Sequence, residues 1–185
     1  MKKILITLML VINLVAYGQN CEINKDNYGL LKVDVSDIKC IAKSDKKFTL
    51  VYTFGLWCEP CIVHLKDVLD LAENYNLKLL VLVIDRNETN YAYSKKYLES
   101  KKEGIKVMSL KNIYGKREKK RYKNFLSEIT PKKFNNIDDM SKYILLDKNG
   151  KVLMVTSYKD NLKGEDWKNN KPMLKRKIIP FLTKG

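Results

Sequence analysis

Apolar and polar positions repeat with a definite period over much of the chain, and the period changes along it. Phe48-Thr49-Leu50-Val51-Tyr52-Thr53-Phe54 is β-branched or aromatic almost throughout and predicts a buried strand that Gly55 ends. After Pro60, apolar residues recur at Ile62, Leu65, Val68, Leu69 and Ala72, the spacing of one helical face. Leu79 to Ile84 is a continuous apolar run, as expected of a parallel strand covered on both faces. Residues 48–84 therefore read as a βαβ unit with a right-handed crossover. Residues 90–103 predict a polar helix and Ile105 to Leu110 a short strand. Residues 112–129 predict a helix with Ile113, Tyr122, Phe125, Leu126 and Ile129 as its apolar contacts, ended by Pro131. Tyr143 to Leu146 and Val152 to Val155 read as a hairpin around Asp147-Lys148-Asn149-Gly150, where Asn-Gly suits positive φ values. A helix from about Pro172 to Phe181 closes the chain. Residues 20–45 show no clean period, and Val33, Val35 and Ile38 predict one short strand or turn. The class is α/β, and no repeat or linker marks a second domain.

The first residues read differently. Lys2 and Lys3 precede an apolar run from Ile4 to Ala16, followed by Tyr17 and Gly18. A positive start, a short apolar core and small residues at Ala16 and Gly18 make a secretory signal peptide over residues 1–18, leaving 19–185 as the folded domain. The run is shorter than the ~20 residues of a membrane-spanning helix. An uncleaved anchor, or lipidation of Cys21, is the alternative, although Asn20 is larger than lipidation normally accepts. Export, most simply to the periplasm, puts the cysteines where disulfides persist.

The formal charge of the 185 residues is +15, and 45% of them are apolar, which excludes a disordered chain. The basic excess is concentrated. Twelve Lys or Arg lie between Lys95 and Lys123, interleaved with tyrosines and set against only Glu99, Glu103 and Glu118. Such a run can be a nucleic-acid footprint, but export argues against that use. A solvated helical face is the commoner explanation. Attraction to acidic partner proteins or to an anionic membrane surface lies between the two.

The chemistry is concentrated in Trp57-Cys58-Glu59-Pro60-Cys61, at the junction of the first core strand and the following helix. A thiol there faces unpaired backbone N–H groups and the positive end of the helix dipole. Both favour the thiolate, so Cys58 is expected to ionise below the free value of about 8.5. Cys61, one turn on, can close a small disulfide and so resolve a mixed disulfide formed by Cys58. Pro60 suits the first helical turn, and Trp57 can shield one side of the pair. Neither a metal nor an organic cofactor is required. A zinc site would need two further ligands, and Cys21, Cys40 and His64 supply no second paired spacing. A purely structural short-loop disulfide leaves the strand-to-helix placement unexplained.

Thr53 to Cys61 resembles the active site of exported thioredoxin-like thiol–disulfide reductases of the TlpA/ResA type. The resemblance continues through Val83-Ile84-Asp85 and through Tyr143 to Lys151, and covers about residues 45–110 and 140–158. It implies a thioredoxin-like fold, a mixed β-sheet flanked by helices, with residues 111–140 as a basic helical insertion. It further implies an exposed nucleophile at Cys58, a buried resolving thiol at Cys61, Trp57 beside the substrate groove, and tuning of the potential by Glu59 and Pro60. The partners it implies are a disulfide-bearing protein substrate and a membrane thiol donor.

Three positions depart from that pattern. Ser141 stands near the place of the usual cis-proline before the strand that faces the cysteines, and Pro131 lies about ten residues too early. Tyr52 occupies the place of a buried Asp six residues before the nucleophile. His64 stands where a Glu is common. His64 can take the place of the acid as proton acceptor, against the alternative of a surface helix histidine with no role. The missing cis-proline and Tyr52 favour a second reading, a non-catalytic binding module that holds a partner through the basic insertion. Cys21 and Cys40 remain, and an even leftover pair in an oxidising compartment points to a structural disulfide; two free thiols, or a lipidated Cys21, are the alternatives.

Overall fold

The computed structural model describes residues 21–43, 46–85 and 87–183; the expected signal peptide lies outside them. The predicted βαβ unit forms the centre of the sheet. β2 (Phe48–Phe54) runs parallel to β3 (Lys78–Val83), with Val51 opposite Leu80 and Phe54 opposite Val83. β3 pairs in parallel with β4 (Lys106–Leu110), and β4 with β1 (Leu31–Val33) at the edge. On the other side of β2, β5 (Tyr143–Asp147) and β6 (Val152–Val155) add an antiparallel hairpin. The order across the sheet is β1-β4-β3-β2-β5-β6.

Helices cover both faces, and the period-two alternation of the strands divides the core between them. Leu50, Tyr52, Phe54, Val81, Val83, Tyr143 and Leu145 face α3 (Leu65–Asn74), α4 (Glu88–Lys101) and α6 (Lys171–Lys177). Val51, Leu80, Leu82, Ile144 and Leu146 face α1 (Val35–Ala42) and α5 (Glu118–Ile129). The central strands are apolar without a break because each side of them is inside. A parallel βαβ core extended by an antiparallel hairpin and a C-terminal helix is a thioredoxin-like α/β fold. Among the described residues no helix is long and apolar enough to cross a membrane.

The basic segment contributes to this core. Tyr122, Phe125, Leu126 and Ile129 of α5 are buried against the sheet, while Lys119, Lys120 and Lys123 face solvent. Some of its cations tie the fold together. Lys111 bridges Asp34 and Asp37 at 2.8 and 2.6 Å, and Arg121 donates to the carbonyls of Gly115 and Lys116.

The structure corrects several expectations. Residues 33–38 hold no single strand or turn: β1 ends at Val33 and α1 starts at Val35. Asp34 makes a capping box there, its carboxylate accepting from Asp37 N–H while the Asp37 carboxylate accepts from Asp34 N–H. Ile113 is 72% exposed, because Asn112–Tyr114 is a separate 3-10 turn that Gly115, at φ 121°, breaks from α5. Tyr114 is buried in its stead. In the hairpin only Gly150 takes positive φ. The Asp147 carboxylate accepts from Asn149 and Lys151 N–H and holds the turn. The helix after Pro60 divides into α2 (Glu59–Val63) and α3 at His64, whose ψ of −9° departs from the helical value. That break turns Ile62 outward. The last helix divides likewise, into α6 and α7 (Ile179–Thr183), because Pro180 has no N–H to give the preceding turn.

Candidate active site

The end of β2 delivers the cysteine pair to the start of α2. Gly55 is needed there for closeness. A Cβ on it would lie 2.8 Å from Trp57 Nε1 and 2.9 Å from the Ile84 carbonyl oxygen. The room it leaves lets the Trp57 indole fold back and donate to that carbonyl at 3.0 Å. Trp57 is 49% exposed beside the cysteines. Cys58 is the N-cap of α2, and its sulfur accepts from Cys61 N–H at 3.2 Å. Glu59 and Pro60 form the first turn, Glu59 exposed and Pro60 half-buried. Cys58 and Cys61 are joined as a disulfide with Cα atoms 5.2 Å apart.

The expectation of an exposed Cys58 is not met: the residue is 5% exposed, and Cys61 is fully buried. Cys58 instead lines a cavity of about 250 Å³ walled by Pro60, His64, Ser141, Trp167 and Met173. Trp167 comes from the long connection between β6 and α6, more than a hundred residues away in sequence, so no local pattern announces it.

The three departing positions come together behind the pair. Tyr52 is buried in the sheet with its hydroxyl oxygen 3.0 Å from the Cys61 carbonyl oxygen and 2.8 Å from Ser141 Oγ. Burial pushes its pKa far above the ordinary tyrosine value, so it keeps its proton and is no general base. His64 is 5% exposed and is not the surface histidine of the bland alternative. Its Nδ1 lies 2.9 Å from Ser141 Oγ, and its Nε2 lies 2.6 Å from the Trp167 carbonyl oxygen. Burial lowers its pKa, opposed by the hydrogen bond to Trp167 and by the Asp67 carboxylate.

Ser141 takes the left-handed conformation, φ 63°, and no peptide bond among the described residues is cis. A non-glycine residue there costs about 1–3 kcal/mol and persists only where its surroundings hold it. The neighbouring Lys142 supplies that hold. Its main chain exchanges hydrogen bonds with Thr53, the Lys142 N–H donating to the Thr53 side-chain Oγ1 at 2.9 Å and the Lys142 carbonyl accepting from Thr53 N–H at 3.1 Å. Its buried ammonium donates to the Thr156 carbonyl at 2.9 Å and pairs with Asp139. Cys21 and Cys40 form the second disulfide, remote from this site, and fasten the N-terminal segment to α1.

Fold and site together define a chain of thioredoxin-like fold with a Cys-x-x-Cys disulfide at the C-terminal end of a central strand. No protein-family model matches the chain, and no curated protein is detectably similar in sequence. Among solved structures it is similar to a thiol:disulfide interchange protein from Bacteroides sp., with 20% identity over 72% of this chain and 74% of that one and a TM-score of 0.44. It is also similar to a conserved protein of unknown function from Bacteroides fragilis, with 17% identity over 64% of this chain and 80% of that one and a TM-score of 0.39.

Proposed function

We propose that this chain is an exported thiol–disulfide oxidoreductase that reduces disulfides of partner proteins through Cys58 and Cys61. The observation that carries the reading is the position of Cys58: it caps α2, lines an open cavity, and lies within disulfide reach of Cys61. In the reduced protein the Cys58 thiolate attacks one sulfur of a partner disulfide, and the other partner sulfur leaves and takes a proton. Cys61 then gives up its proton, attacks Cys58 and releases the second partner thiol, which is protonated in turn. The partner gains two electrons and two protons, and the chain is left with the Cys58–Cys61 disulfide. A membrane thiol donor returns the pair to the dithiol. Trp57, Glu59 and Pro60 flank the reacting sulfurs, and the thiol:disulfide interchange protein from Bacteroides sp. gives the reading a precedent in function. Export rests on the signal peptide pattern of residues 1–18, with the periplasm as the compartment.

The test is trapping with the Cys61→Ala variant in the presence of exported proteins. Covalent adducts on Cys58 that a dithiol releases support the reading. A Cys58 that neither forms adducts nor reduces a small disulfide refutes it. The near-complete burial of Cys58 favours one competitor, a non-catalytic module that binds a partner through the basic face of α5. That competitor expects salt-sensitive partner retention that survives replacement of both cysteines.

A further inference from the structure

An imidazole and two hydroxyls stand in a row between two carbonyl oxygens. From the Trp167 carbonyl the contacts run to His64 Nε2 at 2.6 Å, from Nδ1 to Ser141 Oγ at 2.9 Å, from there to the Tyr52 hydroxyl at 2.8 Å, and on to the Cys61 carbonyl at 3.0 Å. Both ends can only accept, so each of the four contacts needs a proton from inside the row. Tyr52 and Ser141 bring one each. An imidazolium brings two and fills every contact, with all donors pointing the same way from His64 towards Cys61 outside the Trp167 bond. A neutral imidazole brings one and leaves a contact empty.

The position of the empty contact follows from the distances. Facing lone pairs repel most where atoms are closest, so the proton on Nε2 stays against Trp167. Nδ1 then accepts from Ser141, and Ser141 accepts from Tyr52. The vacancy falls at the longest contact, between Tyr52 and the Cys61 carbonyl.

We propose that protonation of His64 reverses the hydroxyls of Ser141 and Tyr52 together, so that Tyr52 donates to the Cys61 carbonyl only while His64 is charged. Ser141 and Tyr52 are then positioning residues that carry the charge state of His64 to the turn bearing Cys61. The consequence for catalysis rests on the exchange activity proposed above: resolution of a mixed disulfide by Cys61 acquires a step in its pH profile at the His64 midpoint. The left-handed Ser141 fits this role. Its strained backbone sets the hydroxyl within reach of both neighbours, and the anchoring of Lys142 holds it there. The other charged and titratable groups around the row are Asp67 on α3, which acts on His64 itself, Tyr143 on β5, whose ring packs against Tyr52 and whose hydroxyl accepts from Asn170, Asp139, which lines the cavity with His64 and pairs with Lys142, and Lys168 over the Trp167 ring.

The experiment uses the oxidised protein with no thiol present, so it does not depend on exchange. His64 is the only histidine in the chain, and its ring nitrogens and the Cys61 carbonyl carbon are followed by NMR against pH. In the wild type the carbonyl shift follows the imidazole with the same midpoint. In Tyr52→Phe and in Ser141→Gly, where glycine suits the left-handed backbone, the imidazole still titrates and the carbonyl step is lost. In Asp67→Asn both midpoints move together to lower pH. A carbonyl that ignores His64 in the wild type, or still follows it in a folded Ser141→Gly, overturns the inference. A protein that shows the coupling yet never exchanges with a dithiol upholds the inference and refutes the proposed function.

Discussion

Replacing Gly55 by alanine tests how tightly the strand end is built against the site. The new methyl would approach Trp57 Nε1 to 2.8 Å and the Ile84 carbonyl oxygen to 2.9 Å. The indole can swing away, at the loss of its hydrogen bond to Ile84, worth about 1 kcal/mol. The carbonyl is backbone of the segment leaving β3 and can move only with it, and forcing a methyl into such packing costs about 1–3 kcal/mol. Alanine returns about 0.5–1 kcal/mol by restricting the unfolded chain. The net expectation is a loss of about 2 kcal/mol. Urea unfolding followed by far-UV circular dichroism reads the stability, and the emission of Trp57 in a Trp167→Phe background reads the indole. Because two obstacles are involved, Trp57→Ala removes only one of them. In that background the cost of Gly55→Ala falls but stays positive, since the Ile84 carbonyl is still in the way. A variant as stable as the wild type, or an identical cost in both backgrounds, refutes the reasoning.

Three further outcomes are expected. Replacing Cys21 and Cys40 by serine opens a loop of sequence separation 19 and lowers stability by about 3 kcal/mol on the chain-entropy relation, a fall in Tm of about 6–12 °C by calorimetry; an unchanged Tm refutes a structural role. Burial holds the folded-state pKa of His64 below its unfolded value of 6.5, so the unfolded chain takes up the proton first as pH falls. Stability present above about pH 6.5 therefore declines as pH drops towards the folded value, and a Tm series on His64→Gln should lack that slope. Burial raises the pKa of Asp34, but the hydrogen bonds from Lys111, Ser36 and Asp37 N–H outweigh it and hold the carboxyl well below the usual range. Asp34→Ala, which removes the cap of α1, should cost about 1–2 kcal/mol in denaturant unfolding, and a loss below a few tenths would remove the capping box from the account.

The sequence by itself determined whatever depends on neighbours along the chain. The unbroken apolar runs at 48–54 and 79–84 place the central strands, because a strand covered on both faces has no polar position to spare. The Cys-x-x-Cys spacing at a strand-to-helix junction locates the site, because a disulfide across one turn is a local matter. Even α1 has a local signal, acidic residues at Asp34 and Asp37 three apart, outweighed by the lack of a clear period around them. Only the tertiary structure decided that β4 lies between β1 and β3 and that Cys58 opens into a cavity instead of onto the surface. It alone brought Tyr52, His64, Ser141 and Trp167 into one hydrogen-bonded row, in which the contacts among these four residues span 77 to 103 positions of the chain. The physical reason is range: backbone periodicity and turn chemistry act over a few residues, whereas the direction of a hydrogen bond between buried side chains depends on which strands and loops the packed core sets against each other.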